Sequence, residues 1–273
     1  MDLLAEQFDR GRFIRHHAVG LGDGGSSASS AVMTKRHIVA LGGGGFSDEP
    51  GNSVLDDFIF ALSGKRRPRI CFLGTATGDS DSYFQKFYKA MARRKCEASH
   101  LGLFKRTDLD PTKFLLSQDV IYVGGGNTAN MLAVWRIHGV DRALRTAWRR
   151  GIILAGISAG ANCWFEACST DSFGPLAPLR DGLALLPGSV CPHYDGEKQR
   201  RPTLLRFIAS GQLPDGFALD DCAAAHFVGR RFVEAVSSRP QAKVYCVVRV
   251  GKRVVEEVIP TRFLGVASNA RVG

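Results

Sequence analysis

"RGIILAGISAGANCWFEA", residues 150–167, is the stretch on which the architecture turns. It begins with an apolar run from Ile152 to Ile157, short and rich in β-branched residues, as in a strand whose two faces are both covered in a parallel sheet. The run stops at a lone Ser158 set between small residues, and helix-compatible residues follow. Gly156-Ile157-Ser158-Ala159-Gly160 is therefore a G-x-S-x-G pentapeptide at a strand-to-helix junction, the context that gives this pattern chemical meaning. In such an elbow the serine adopts a strained backbone, small neighbours let strand and helix approach, and the hydroxyl projects above the sheet edge as a nucleophile. A helix starting there also points its first N–H groups at the same spot. The bland reading, a tight turn with a serine N-cap, fits the pentapeptide alone equally well, so other segments must decide.

Outward from this stretch, similar apolar runs recur: "HIVAL" (37–41), "RICFL" (69–73) and "VIYVG" (120–124). Helical patterns separate them, in "NSVLDDFIFALSG", in "DSYFQKFYKAMARRK" (81–95), and in "NTANMLAVWRIHG" followed by "VDRALRTAWRRG". A βαβ series predicts right-handed crossovers and an α/β three-layer sandwich with a mostly parallel central sheet. "KVYCVVRVGKRVVEEVI" (243–259) reads as two strands around a Gly-Lys turn, a C-terminal antiparallel hairpin expected to finish that sheet. No repeat is visible, and residues 35–273 are expected to form a single α/β domain.

Composition bounds the function. The chain has 273 residues, 45% of them hydrophobic, enough for a full core. Residues 1–34 are Gly/Ser-rich toward their end and are expected to be a disordered extension, with Met33 a candidate alternative start. They lack a leader-like apolar region, and no run reaches the 18 or so apolar residues of a membrane span. The net charge of +10 is scattered rather than massed, which reads as a solvated surface and not a nucleic-acid interface. Seven cysteines form no CxxC pair and no Cys/His cluster, so reduced, packed thiols in a cytoplasmic protein are expected. The partners expected are a small peptide and, at most, a second copy of the chain, with neither nucleic acid nor membrane; the chemistry below requires no metal and no cofactor.

A second Gly-rich segment strengthens the nucleophile reading. "VIYVGGGNTANML" places Gly124, Gly125, Gly126 and Asn127 at the carboxyl end of a strand, the edge where open α/β sheets bind ligands. The Gly126 and Ala159 N–H groups are candidates for an oxyanion hole, each worth about 3 kcal/mol to a tetrahedral intermediate. A phosphate cradle is the weaker reading, because "LGGGGF" (41–46) has no lysine at P-loop spacing. The base is sought among seven histidines. His193, in "VCPHYDGE", follows a proline that ends an apolar run and so falls at a strand end or loop; His226, in "AAAHFVG", reads as a core strand residue.

"VGGGNT", "GISAGAN" and "CPHYDGE", in that order, resemble the peptidase E (aspartyl dipeptidase) and cyanophycinase family of serine peptidases, whose fold is similar to class I glutamine amidotransferases with serine in place of cysteine. The resemblance implies a serine exopeptidase acting through a Ser-His-acid triad. It maps the nucleophile onto Ser158, the base onto His193 and the oxyanion hole onto Gly126 and Ala159. It also puts the acid in the loop after the elbow helix, where Asp171 of "CSTDSFG" lies. Glu166 is the alternative acid, on the same expected helix and about 12 Å along it, and Asp195, two positions past the histidine, is a third. The resemblance further implies dipeptides with an N-terminal aspartate, held by an arginine shortly after the histidine. Arg200 and Arg201 of "GEKQRRP" are the candidates, with Asn127 of the GGGN run as a further substrate contact. A cyanophycin-type peptide, cysteine chemistry at Cys163 or Cys168, and a catalytically silent binding protein are the alternatives.

Overall fold

The computed structural model describes residues 35–105 and 108–265; the expected extension at 1–34 lies outside them. In chain order the elements are β1 (His37–Leu41), α1 (Gly45–Asp48), α2 (Val54–Ala61), β2 (Arg69–Leu73), α3 (Asp81–Met91), β3 (Glu97–Leu101), α4 (Pro111–Leu116), β4 (Val120–Val123), α5 (Thr128–His138), α6 (Val140–Arg149) and β5 (Ile153–Ile157). Then come α7 (Ala159–Asn162), β6 (Phe165–Thr170), β7 (Ala177–Leu179), β8 (Leu186–Cys191), α8 (Arg200–Ala209), β9 (Gly216–Leu219), β10 (Ala223–Val228), β11 (Arg231–Ser237), β12 (Val244–Val250), β13 (Arg253–Ile259) and β14 (Thr261–Phe263).

The larger sheet runs β14-β11-β10-β1-β5-β4-β2-β3. Its central strands pair in parallel, β5 between β1 and β4, while β10 and β11 continue it antiparallel. Alternate residues of these strands feed two cores, as the two-residue strand period requires. Val39, Leu41, Phe72, Tyr122 and Ile157 pack with Phe46, Leu55, Ile59 and Phe87 of α1 to α3. Ile38, Ala40, Ile121, Val123 and Leu154 pack on the other face with Leu115, Trp135 and Leu144 of α4 to α6. The structure is mixed α/β with a mostly parallel central sheet, as the apolar runs predict.

The second half departs from that prediction. The hairpin of β12 and β13 does not finish the central sheet; it is the edge of a second, six-stranded sheet ordered β13-β12-β9-β8-β6-β7. One face of this sheet, through Phe165, Leu186, Val190, Phe217 and Val244, shares the core of the first sheet, and its other face is covered by Leu204, Phe207 and Ile208 of α8. A strict three-layer sandwich thus becomes four layers where the second sheet lies. The expected helix through Glu166 ends after Asn162: Trp164 and Phe165 are fully buried and β6 pairs in parallel with β8. Trp164 and Phe165 both belong to the core that the two sheets share, and from Phe165 the chain runs on as strand β6.

Candidate active site

Ser158 stands at the carboxyl end of β5, the strand flanked on one side by β1 with the 42–45 loop and on the other by β4 with the 124–126 loop. Its backbone, at φ 56° and ψ −113°, lies in a region that side chains rarely adopt. Close approach explains the flanking glycines. A Cβ on Gly156 would sit 2.2 Å from the Gly160 carbonyl oxygen, and one on Gly160 would sit 2.3 Å from that of Val123. The elbow is held by a surround that over-determines it. The helix that follows, α7, is a single turn, so it adds little dipole.

The glycine run of 42–45, a phosphate cradle on the weaker sequence reading, has another role. Three successive carbonyls, those of Leu41, Gly42 and Gly43, accept the backbone N–H groups of Ser158 (3.1 Å), His193 (3.3 Å) and Cys222 (3.2 Å). The last of these adjoins Asp221. One extended stretch therefore aligns segments from three distant parts of the chain. His193 follows β8 and Asp221 follows β9; these strands are parallel neighbours with Cys191 opposite Ala218, so both side chains rise from the same edge of the second sheet.

The His193 Nδ1 lies 2.6 Å from the Asp221 Oδ1, a charge-assisted hydrogen bond in which the ring N–H donates to the carboxylate. That bond leaves Nε2 for a reaction partner. The Asp221 N–H donates to the Asp195 Oδ1 at 2.8 Å, so Asp195 supports the loop of Asp221. Ser158 and His193 line one cavity of about 390 Å³, together with Ser47, Tyr83, Lys86 and Gly125.

Asp171 is not on the imidazole. Its carboxylate faces the Arg200 guanidinium at 3.6 Å. Glu166, on strand β6, faces Arg230 at 3.7 Å and accepts the Gly188 N–H at 3.1 Å. Neither carboxylate reaches the imidazole: strand β6 replaces the helix expected through Glu166, and the loop after it turns Asp171 toward Arg200. The carboxylate that does face the imidazole, Asp221, was not among the sequence candidates because it lies 28 positions beyond His193, in a segment with no motif. Its signal was the acidic pair Asp220-Asp221 directly after an apolar run, which marks a strand's end. Burial, with Asp195 and Asp221 nearby, pushes the Asp220 carboxyl up to about 6.

The remaining candidates divide. Among the described residues the Gly126 and Ala159 N–H groups have no acceptor in the protein, whereas the Gly125 N–H donates to the Tyr83 hydroxyl at 3.2 Å. Asn127 caps α5, its Oδ1 accepting the Asn130 N–H (2.9 Å) and its Nδ2 donating to the Ser172 carbonyl (2.9 Å). Arg200 is 4% exposed and holds Glu197 at 2.8 Å and the Ser169 carbonyl at 3.3 Å. Arg201 is exposed and pairs with Glu256 at 2.6 Å. Neither arginine lines the cavity. The Cys163 thiol donates to the Gly160 carbonyl, and burial raises its pKa well above the ordinary range; Cys168 is raised by the same cause. Neither is a thiolate nucleophile at neutral pH. His226 is buried on β10 against His37, with 2.9 Å between ring nitrogens.

The model of peptidase family S51 matches residues 38–235. This chain belongs to peptidase family S51. It is 50% identical over 230 residues to "Uncharacterized peptidase YgaJ" of Bacillus subtilis (strain 168), covering 84% of this chain and all of that protein. Peptidase E of Streptomyces coelicolor is 30% identical over 152 residues, which are 54% of this chain and 61% of that one. Among solved structures, a peptidase from an acI-B1 Actinobacterium aligns with a TM-score of 0.62 at 16% identity, over 83% of this chain and 98% of that one. A putative peptidase E from Listeria monocytogenes EGD-e aligns at 0.53 and 18% identity, over 83% and 100%. These two share the fold. Family membership makes the protein a serine-type peptidase. Among the described residues no helix is long and apolar enough to cross a membrane.

Proposed function

We propose that this S51 peptidase is an exopeptidase for short peptides, dipeptides with an N-terminal aspartate foremost, acting through a Ser158–His193–Asp221 triad and an acyl-enzyme. The observation that carries the triad is the 2.6 Å contact between His193 and Asp221 on the rim of the cavity that also exposes Ser158. His193 Nε2 takes the Ser158 proton as the oxygen attacks the scissile carbonyl, and returns it to the leaving amine; Asp221 holds the ring's tautomer and stabilises the imidazolium. The unengaged N–H groups of Gly126 and Ala159 receive the oxyanion. Water then enters as the second nucleophile and releases the acid product. The peptidase E relatives support the dipeptide specificity, as does a small cavity lined by hydroxyls and a lysine.

The test uses hydrolysis of L-aspartyl dipeptides and L-aspartyl p-nitroanilide. Ser158→Ala abolishes turnover without unfolding the protein. Asp221→Ala lowers kcat by about 10³- to 10⁴-fold, and Asp171→Ala does not approach that loss. A larger loss at Asp171 than at Asp221 refutes the triad. Turnover without preference for aspartate refutes the specificity and leaves the triad standing.

A further inference from the structure

The motif-based arginines leave a gap, since Arg200 and Arg201 are each committed to carboxylates and neither lines the cavity. Lys86, on α3, is the one lysine or arginine among the described residues that line it. Its ammonium donates to the Ser47 carbonyl at 2.8 Å, a bond that fixes the charge against α1 at the cavity wall. No carboxylate lies within ion-pair distance of it among the described residues. An ammonium has three donors and this bond uses one. The acidic residue of the same wall, Asp48, already accepts the Gly44 N–H at 2.9 Å.

We propose that Lys86 binds a carboxylate of the peptide substrate, the anion-recognition role that sequence reading assigned to Arg200 or Arg201. The inference rests on the exopeptidase reading above. Lys86 and Tyr83 are three positions apart on α3, hence neighbours on one helix face. The Tyr83 hydroxyl holds the Gly125 N–H, and Gly125 abuts the nucleophile: a Cβ there would be 3.2 Å from the Ser158 Cβ. Lys86 and Ser158 line the same cavity of about 390 Å³, so a short peptide whose scissile carbonyl sits at Ser158 can bring a carboxylate within reach of the ammonium. A carboxylate at that reach is either the side chain of an acidic residue on the acyl side or the terminal carboxylate on the leaving side. Ser47, Thr77, Ser80 and Ser82 supply hydroxyls around it, which suits a charged, hydrated group better than an apolar one.

The experiment measures kcat/KM for Asp-Leu, Asn-Leu and Asp-Leu-amide on wild type, Lys86→Met, Lys86→Arg and Lys86→Glu. Lys86 is exposed, so the variants are expected to fold, which circular dichroism checks. In wild type one carboxylate is favoured over its amide; Lys86→Met shrinks that preference about tenfold, chiefly through KM. Lys86→Arg keeps it and Lys86→Glu reverses it. Loss of the Asp/Asn preference assigns the side-chain carboxylate, and loss of the acid/amide preference assigns the terminal one. Wild-type turnover with no preference for either carboxylate, or a preference unchanged in Lys86→Met, overturns the role of Lys86 alone. No wild-type turnover of any of the three peptides overturns the exopeptidase reading and this inference together.

Discussion

Gly43→Ala tests the alignment of the site with a single methyl group. The Gly43 φ lies outside the left-handed region, so alanine is strained there only by contact. The new Cβ would fall 2.2 Å from the Asp221 Oδ1, 3.0 Å from its Cγ and 3.3 Å from its Cα. Ordinary contact requires the carboxylate to retreat by about 1 Å. On its other side Asp221 Oδ2 is packed against Gly196, where a Cβ would be only 2.1 Å away, so the retreat has little free direction. Moving Oδ1 that far stretches its 2.6 Å bond to His193 beyond hydrogen-bonding range. Loss of a charge-assisted hydrogen bond of about 1.5–3 kcal/mol slows the serine's attack by about 10- to 100-fold. The assay is the rate at which a fluorophosphonate labels Ser158, which needs the activated nucleophile but no peptide specificity, read beside a thermal melt. The double variant with Asp221→Ala supplies the control, because with the carboxylate gone the methyl group has nothing to displace. Labelling within about twofold of wild type, or the full Gly43→Ala loss persisting in the Asp221→Ala background, refutes the reasoning.

Two further outcomes concern stability. Ser158→Gly abolishes labelling yet raises stability by about 1 kcal/mol net, because relief of the serine's backbone strain exceeds the entropy that glycine adds to the unfolded chain; an unchanged or lower denaturation midpoint contradicts this. Asp56 is fully buried, and desolvation raises it to about 7, partly offset by Arg94 at 3.2 Å. A carboxyl raised above its ordinary value stabilises the fold while protonated, and that contribution is lost as pH rises through about 7. The melting temperature of wild type is therefore expected to fall between pH 5 and 8 by the equivalent of about 2 kcal/mol, and the fall to be shallower in Asp56→Asn. Equal slopes in the two proteins exclude Asp56 as the source.

The reach of the sequence is clearest at individual residues. The strand at 153–157, the elbow at Ser158 and the placement of His193 just past a strand were legible because each depends on neighbours within a few positions: an apolar run, small residues that permit a close turn, a proline that ends a run. The family was legible for the same reason, since its three motifs are local. The helix expected through Glu166 was not a local matter. "NCWFEACST" admits helix or strand, and the pairing of Phe165–Thr170 with the distant strand β8 makes it a strand.

The proposed acid and the proposed anion-binding cation both depend on long-range contacts. Asp221 reaches His193 because β8 and β9 are parallel neighbours and because consecutive carbonyls of the 41–43 stretch hold the amides of three remote segments. Nothing near Asp221 in the chain records that. Arg200 is likewise the expected residue type at the expected spacing, but the fold turns it inward onto Glu197 and Ser169 and leaves Lys86, more than a hundred positions earlier, on the cavity wall. By itself the sequence determined the strand and elbow at Ser158, the position of His193 at a strand end and the central parallel sheet. Sheet order, which is decided by the burial of many side chains at once, determined which carboxylate and which cation face them.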